Sequence, residues 1–247
     1  MARKSPLSHM VCNYHLYLLN RHLFLDIPEG RALIDTGAPL SSSTTGRLTW
    51  QNENHGVNKG GYMGFTFDTL SAKIGVQVDA LLGMDLLAQT TLLFDVAHRT
   101  LTAGDEMPAG FKARAYEHAP MSDIPLFHVA LNGQPARVLW DTGAQFGYVT
   151  DRKFVDGLKP QPGFHDFSPM FGDLDIPQSY VLPFTLAGHE LLETVGEAPH
   201  VRGGGISPIA MSPFLRALDI DAIIGPSWMP RVKAWLNPQD QTFALAA

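Results

Sequence analysis

The sequence has 247 residues, of which 45% are hydrophobic and 17% are charged, and its formal net charge is −6. This apolar content excludes a disordered chain, and the negative charge argues against a broad nucleic-acid-binding surface. Because Cys12 is the one cysteine, the chain cannot form an internal disulfide bond.

Short apolar runs bounded by Gly, Pro, Asn and Asp recur along the chain, a pattern typical of the strands of an all-β fold. The clearest predicted strands are, in chain order, residues 23–25, 32–34, 65–67 and 181–186. Helical periodicity is scarce, and it predicts two short helices, at residues 85–89 and 213–218. Residues 104–125 are rich in Pro, Gly and charge, which indicates a linker.

The chain contains an internal repeat. Residues 32–38, ALIDTGA, resemble residues 138–144, VLWDTGA, and residues 79–83, DALLG, resemble residues 221–225, DAIIG. Repeats in the same order indicate a duplicated structural unit. We therefore predict an N-terminal lobe, residues 1–110, and a C-terminal lobe, residues 111–247. The wider spacing between the two motifs in the second half predicts an insertion there that includes residues 199–219.

The duplicated motifs resemble those of aspartic proteases of the pepsin and retropepsin group. Ala38 and Ala144 follow the retropepsin form of the Asp-Thr-Gly loop. Residues 82–87, LGMDLL, are similar to a later retropepsin motif in which Gly-x-Asp opens a short helix. The resemblance implies a two-lobed acid protease fold, a tandem pseudo-twofold repeat of β-barrel lobes within a single chain. Residues 225–228, GPSW, depart from the pattern because they lack the Asp of the helix motif.

Two carboxyl groups held close together cannot both ionise easily, so the pair shares one proton. The ionised member can take a proton from water while the protonated member polarises a peptide carbonyl. We assign Asp35 and Asp141 to such a catalytic dyad, one from each lobe, which predicts an aspartic endopeptidase. Which of the two carries the proton stays open.

The residues after each aspartate form the predicted active-site loops. The hydroxyl groups of Thr36 and Thr142 can bond buried backbone, and the resemblance implies that they brace the two loops. Gly37 and Gly143 allow a sharp turn that directs backbone N–H groups towards the carboxylates.

The resemblance also implies a flap, a glycine-rich hairpin that covers the cleft. In the first half we assign it to Gly60, Gly61, Tyr62 and Met63, with Tyr62 or Met63 touching substrate. The alternative is a surface hairpin with a packed tyrosine. In the second half, residues 164–176 and residues 203–205 are both candidates, and the choice between one flap and two stays open.

Other features predict little further chemistry. The ten histidines form no paired zinc-helix motif, and residues 203–205 lack the Lys of a phosphate loop, so we expect no metal and no cofactor. The expected partner is a peptide or protein substrate, with no nucleic acid and no membrane. Because both aspartates are in one chain, we expect activity as a monomer.

The compartment, the N-terminal residues and the competing function are predicted less specifically. Without a recognisable signal peptide or membrane span, the sequence predicts a cytoplasmic protein. Residues 1–20 are consistent with a first strand, a pro-segment or a tail. The competing functional hypothesis is a catalytically inactive retropepsin-like protein that binds peptides or acts as a scaffold.

Overall fold

The computed structural model describes residues 11–120 and 122–247, and strands hold 47% of these residues while helices hold 11%. The strands up to residue 120 are β1 (Cys12–Leu19), β2 (His22–Ile27), β3 (Gly30–Ile34), β4 (Ser42–Ser43), β5 (Arg47–Trp50), β6 (Glu53–Gly56), β7 (Asn58–Lys59), β8 (Gly61–Tyr62), β9 (Phe65–Thr66), β10 (Ala80–Leu82), β11 (Leu92–Asp95), β12 (Thr100–Ala103), β13 (Arg114–Ala115) and β14 (Glu117–His118). The later strands are β15 (Pro125–Leu131), β16 (Gln134–Trp140), β17 (Gly147–Val149), β18 (Gln161–Ser168), β19 (Gly172–Leu186), β20 (His189–Glu197), β21 (Ala222–Ile224), β22 (Lys233–Asn237) and β23 (Thr242–Ala246). The α-helices are α1 (Phe67–Ile74), α2 (Met84–Leu87) and α3 (Met211–Ala217), and short 3-10 helices lie at Arg152–Phe154 and Met229–Arg231.

The two halves repeat one strand arrangement. In the first, β3 runs parallel to β10 with Ile34 opposite Leu82, and β4 is antiparallel on the other side of β10. In the second, β16 runs parallel to β21 with Trp140 opposite Ile224, and β17 takes the place of β4. The apolar runs that end at Ile34 and Trp140 suit these strands because both faces of a central parallel strand are buried. The predicted all-β fold with a tandem repeat is confirmed.

The second half also closes on itself. The sheet order β15-β16-β21-β17-β20-β19 returns to β15 through a pairing between β15 and β19. These six strands therefore form a closed barrel, which leaves no free edge between them.

The last two strands of the second half belong to the sheet of the first half. β22 pairs with β11, with Leu92 opposite Leu236, and β23 then pairs with β22. The core continues across the same boundary, since the rings of Phe94 and Trp140 meet edge to face at 5.6 Å. The two halves thus share both a sheet and a core.

Most predicted elements are present, with shifted ends. Residues 23–25, 32–34 and 181–186 lie in β2, β3 and β19, and the two predicted helices correspond to α2 and α3. The strand predicted at residues 65–67 is wrong at its end, because Phe67 begins α1. The reason is the cap: the Thr66 hydroxyl accepts a hydrogen bond from the Thr69 backbone N–H at 3.2 Å, which starts a helix instead.

The predicted linker and insertion also differ from the structure. Within residues 104–125, β13 pairs with β23 and β14 pairs with β15, and Tyr116 is buried against Phe127 and Phe243. The lobe boundary at residue 110 stays a prediction.

The position predicted for the insertion is right only in part, because residues 198–210 have no counterpart between β9 and α1 but α3 does. α3 lies within residues 199–219, yet it precedes β21 as α1 precedes β10, so it is part of the repeat. Most of the added length follows the β18–β19 turn, in β19, β20 and residues 198–210, whereas in the first half β9 runs directly into α1.

The N-terminal residues are described only in part. By sequence, residues 1–20 are consistent with a first strand, a pro-segment or a tail. Of these, residues 12–19 form the strand β1, whereas residues 1–10 lie outside the described residues. Among the described residues, no helix has the length and apolar character needed to span a membrane.

Candidate active site

Asp35 and Asp141 follow the central strands β3 and β16 directly. The backbone N–H of Asp35 donates to the carbonyl oxygen of Leu82, and that of Asp141 donates to the carbonyl oxygen of Ile224, both at 3.0 Å. Each aspartate therefore lies at the end of a central strand, fixed by the neighbouring parallel strand. The two residues reach the boundary between the halves in equivalent positions.

Thr36 and Thr142 connect the two loops through a reciprocal set of hydrogen bonds. Each threonine backbone N–H donates to the hydroxyl oxygen of the other threonine at 3.0 Å. The Thr36 hydroxyl donates to the Trp140 carbonyl oxygen, and the Thr142 hydroxyl donates to the Ile34 carbonyl oxygen, both at 2.7 Å. Because both threonines are fully buried, these bonds leave no hydroxyl unsatisfied and hold the loops in one relative position.

Gly37 and Gly143 bring the two carboxyl groups together. The Gly37 N–H donates to Asp35 Oδ1 and the Gly143 N–H donates to Asp141 Oδ1, both at 2.9 Å. A Cβ atom on Gly37 would lie 2.4 Å from the carboxyl carbon of Asp141, and one on Gly143 would lie 2.5 Å from that of Asp35. Each carboxyl group thus occupies space that the opposite glycine leaves free.

Burial raises the pKa of both aspartates. The negative charge of Asp141 and a hydrogen bond between the two side chains raise the pKa of Asp35 further. For Asp141, burial is opposed by the hydrogen bond from Asp35 and by backbone N–H groups, yet its pKa is still raised. The pair therefore retains one shared proton above the pH at which an isolated aspartic acid loses its own.

The supports beneath the two loops differ. Under the first loop, the Ser41 hydroxyl and backbone N–H donate to Asp85, and the Gly83 N–H donates to the Ser41 hydroxyl. In the second half, Gly147 and Ser227 stand at the equivalent positions. No serine-to-aspartate bond of this kind is possible there.

A buried glutamate from another strand supports the second loop instead. Glu193 of β20 accepts hydrogen bonds from the Ser227 hydroxyl and from Arg21, whose Nη2 lies 3.1 Å from Glu193 Oε1. Arg21 comes from the turn between β1 and β2, and its Nε also donates to the Gln145 carbonyl oxygen at 2.9 Å. Burial raises the pKa of Glu193, and the bonds from Ser227 and Arg21 oppose that rise. Sequence reasoning missed this ion pair, although Glu193 stands at an inward position between Leu191 and Val195.

A cavity of about 270 Å³ opens above the dyad, and hairpins from both halves line it. From the first half, Tyr62 and Met63 at the β8–β9 turn line the cavity, whereas Gly60 and Gly61 are not among its lining residues. Burial raises the pKa of Tyr62, and the charges of Asp35 and Asp141 add to the rise. The hydroxyl of Tyr62 therefore stays protonated beside the dyad.

A second hairpin, from the other half, reaches the same cavity. The turn between β18 and β19, residues 169–171, contributes Pro169, Met170 and Phe171 to the lining. The two hairpins meet where the Phe65 and Phe167 rings pack edge to face at 5.0 Å. Of the two second-half segments that the sequence left open, residues 164–176 thus provide the hairpin.

The other open segment packs against that hairpin from behind. The Ser207 N–H donates to the Met170 carbonyl oxygen at 2.8 Å. Gly203 and Gly205 lie so close that a Cβ atom would be 2.1 Å from the Phe171 carbonyl oxygen and 2.3 Å from that of Met170, respectively. The glycine run therefore fastens the turn of the second hairpin.

Two further polar residues in the cavity were missed by the sequence. Asp166 of β18 and Tyr148 of β17 both line it, and the Tyr148 hydroxyl donates to Asp166 Oδ2 at 2.6 Å. Burial raises the pKa of Asp166 to about 6, with a further rise from the charge of Asp141 and an opposing effect of the Tyr148 hydrogen bond. No local motif marks either residue, because β17 and β18 are brought together by the fold without pairing with each other.

The site contains carboxyl, hydroxyl and backbone groups suited to acid–base chemistry on a bound carbonyl. In residues 11–120 and 122–247, no group of three or more His, Cys, Asp or Glu side chains is arranged to hold a metal ion.

Comparison with known proteins finds similarity among solved structures. No family model matches the chain, and no curated protein matches it. Among solved structures, it is similar to the solution structure of the Simian Foamy Virus (mac) protease, at 17% identity and a TM-score of 0.28. The match covers 42% of this chain and 91% of the viral chain. This likeness is too weak to bear on the chemistry of the site.

Proposed function

We propose that this chain is an aspartic endopeptidase that hydrolyses peptide bonds with Asp35 and Asp141. The observation that carries the proposal is the placement of the two carboxyl groups, each against the glycine of the other half, at the base of a cavity. Their raised pKa values support a shared proton, which this chemistry needs.

In the proposed reaction, the shared proton makes one carboxyl group an acid and leaves the other to act as a base. The ionised carboxylate accepts a proton from a water molecule as the water oxygen attacks the peptide carbonyl carbon. The protonated carboxyl group donates to the carbonyl oxygen, so the tetrahedral intermediate forms without a free oxyanion. Transfer of a proton to the amide nitrogen then lets the carbon–nitrogen bond break.

The remaining groups position this chemistry. The threonine bonds and the glycine N–H groups hold the carboxyl groups before substrate arrives, so little reorganisation is needed during reaction. The hairpins that carry Tyr62 and Met170 cover the cavity and reduce the access of water. Both aspartates belong to one chain, which supports activity as a monomer.

The test is cleavage of a peptide library by the purified protein across about pH 3–7, the range of carboxylate-dyad chemistry. We expect cleavage that pepstatin inhibits. Asp35→Asn and Asp141→Asn should each lower kcat/KM by roughly 10²–10⁴-fold or more, because each removes the acid–base function of the pair.

A matched control removes a carboxylate elsewhere. Asp68 is exposed in the first turn of α1, and Asp68→Asn should cleave like the wild type. Full activity in either dyad variant would contradict the assignment. Peptide binding without any cleavage would instead favour the competing hypothesis of an inactive binding or scaffold protein.

A further inference from the structure

Asp166 and Tyr148 place a carboxylate and a phenol oxygen on the wall of the cavity that holds the dyad. Asp166 Oδ1 accepts the backbone N–H of Phe167 at 2.7 Å, and Oδ2 accepts the Tyr148 hydroxyl at 2.6 Å. A carboxylate has about four acceptor positions, and these two bonds use half of them. The Tyr148 oxygen also retains its acceptor capacity, since its one proton is donated to Asp166.

The charge of Asp166 is not neutralised by a neighbouring cation. Among the described residues, no Arg, Lys or His side-chain nitrogen lies within 4.0 Å of its carboxylate. By contrast, buried Glu193 is paired with Arg21, and Asp95 is paired with Lys233. Its two hydrogen bonds offset part of the cost of burying this charge, and a cationic group of a ligand would offset more.

The rest of this part of the cavity is mostly apolar, with Ser122 and Ser168 as its other polar residues. Its wall in the second half includes Ile124, Leu139, Met211, Phe214, Leu215 and Ile223. Such a wall suits a long aliphatic stem, and the Asp166 carboxylate suits a cationic group at its end. Lysine and arginine side chains have both parts, since they bury their methylene groups while the charged end keeps polar partners.

We propose that Asp166 and Tyr148 form a subsite that binds the cationic end of a lysine or arginine side chain of the substrate, while the apolar wall covers the stem. The substrate class is then a peptide with a basic residue near the scissile bond. This inference rests on the proposed function for the identity of the ligand as a peptide.

The experiment is run above the Asp166 pKa of about 6, where this carboxyl group is ionised. It compares matched peptides in which each position in turn carries lysine or norleucine, which has an aliphatic chain but no amine. At one position, lysine should raise kcat/KM by roughly 10-fold or more, as expected for a hydrogen bond between charged groups. Asp166→Asn keeps an acceptor for Tyr148 and should reduce the lysine preference to about onefold. Asp166→Lys should replace it with a preference for glutamate over glutamine.

The control is Asp175→Asn, which removes an exposed carboxylate from β19 of the same hairpin. It should retain the lysine preference. Equal cleavage of lysine and norleucine peptides by the wild type, or an unchanged preference in Asp166→Asn, would overturn the subsite. Loss of the preference in Asp175→Asn as well would also overturn it, because the effect would then be general to the charge of the hairpin.

A binding measurement separates this inference from the endopeptidase proposal. Labelled lysine and norleucine peptides are titrated with Asp35→Asn protein and followed by fluorescence anisotropy, with no cleavage required. A lysine preference that Asp166→Asn removes would support the subsite even if the wild type cleaves nothing. Equal binding of both peptides would refute the subsite and leave the endopeptidase proposal intact if the wild type cleaves.

Discussion

The loops that carry Asp35 and Asp141 have equivalent threonine and glycine contacts, but different residues support the two loops. The threonine and glycine contacts are the same on both sides, whereas Asp85 supports the first loop and the Glu193–Arg21 pair supports the second. The two halves are thus most alike at the contacts that hold the two carboxyl groups together. The supports are free to differ because each contacts only one of the two loops.

In the proposed mechanism, the titration of Asp35 and Asp141 sets the pH dependence of cleavage. Activity requires one ionised and one protonated carboxyl group, and burial raises the pKa of both. Raised values delay proton loss to higher pH, so the acid and the alkaline limbs of the pH–rate profile both move upwards. Ala38 and Ala144 carry no hydroxyl that could favour the charged form by a hydrogen bond.

We therefore expect a bell-shaped profile of kcat/KM with its maximum in the mildly acidic range, above that of pepsin. The measurement is kcat/KM for one uncharged peptide across the pH range. Ala38→Ser and Ala144→Ser each add a hydroxyl beside the loop and should move the acid limb to lower pH. A maximum as acidic as that of pepsin in the wild type would contradict the explanation.

Among the elements, the β18–β19 hairpin is unusual because a loop of its own half holds its turn. The Ser207 N–H reaches the Met170 carbonyl oxygen, and the glycine run lies against residues 170–172. The β8–β9 hairpin is shorter, and its turn uses positive φ angles at Met63 and Gly64. The two hairpins therefore differ in length and in how they are anchored.

Gly205→Ala should release the turn of the second hairpin, because its Cβ atom would lie 2.3 Å from the Met170 carbonyl oxygen. The adjacent Gly204→Ala is the control, since its Cβ atom would meet nothing within 4 Å. Loss of the hydrogen bond at Ser207 should speed amide exchange in residues 168–172 and at Ser207 by roughly 5–10-fold. Hydrogen exchange followed by mass spectrometry makes the comparison, and equal exchange in the two variants would argue against the anchoring.

At the scale of the whole molecule, the two halves form one structural unit. β22 completes the sheet at β11, the threonines bond across the boundary, and Arg21 of the first half pairs with Glu193 of the second. Phe94 packs against Trp140 in the shared core. A disturbance at this boundary should therefore affect both halves together.

Phe94→Ala tests this, because it removes a fully buried ring from the boundary and should cost about 3–5 kcal/mol of unfolding free energy. Denaturant unfolding should remain a single transition, with the same midpoint by circular dichroism and by tryptophan fluorescence. Phe24→Ala, which removes a fully buried ring that packs within the first half, should behave in the same way. Two separate transitions in the wild type or in either variant would show that the halves unfold independently.

The two Asp-Thr-Gly loops could be predicted from the sequence because everything that marks them is local. The seven-residue segments around Asp35 and Asp141 share five identical residues, and the pattern needs no knowledge of the fold. Arg21 and Glu193 lie 172 positions apart, so their pairing depends on the packing of the β1–β2 turn against β20. Asp166 and Tyr148 are 18 positions apart, but they lie on strands that are not sheet neighbours, so their contact also depends on the fold.

Strands and helices were likewise predicted correctly where the signal was local in the sequence. Apolar runs located β2, β3 and β19, whereas α1 was missed because its beginning depends on one side-chain bond at Thr66. The predicted linker has little apolar patterning, yet Tyr116 within it is buried by rings from two other strands. Such contacts are decided by tertiary packing, which overrides local composition.

The pairing of β11 with β22 has a consequence for synthesis of the protein. Leu92–Asp95 leave the ribosome well before Lys233–Asn237, and at about 5–20 residues per second the interval is roughly 7–30 s. Throughout that time one side of β11 presents unpaired backbone groups beside apolar side chains, which other chains can join. Newly made chains are therefore exposed to aggregation until β22 is made, and conditions that slow translation should lower the yield of folded protein.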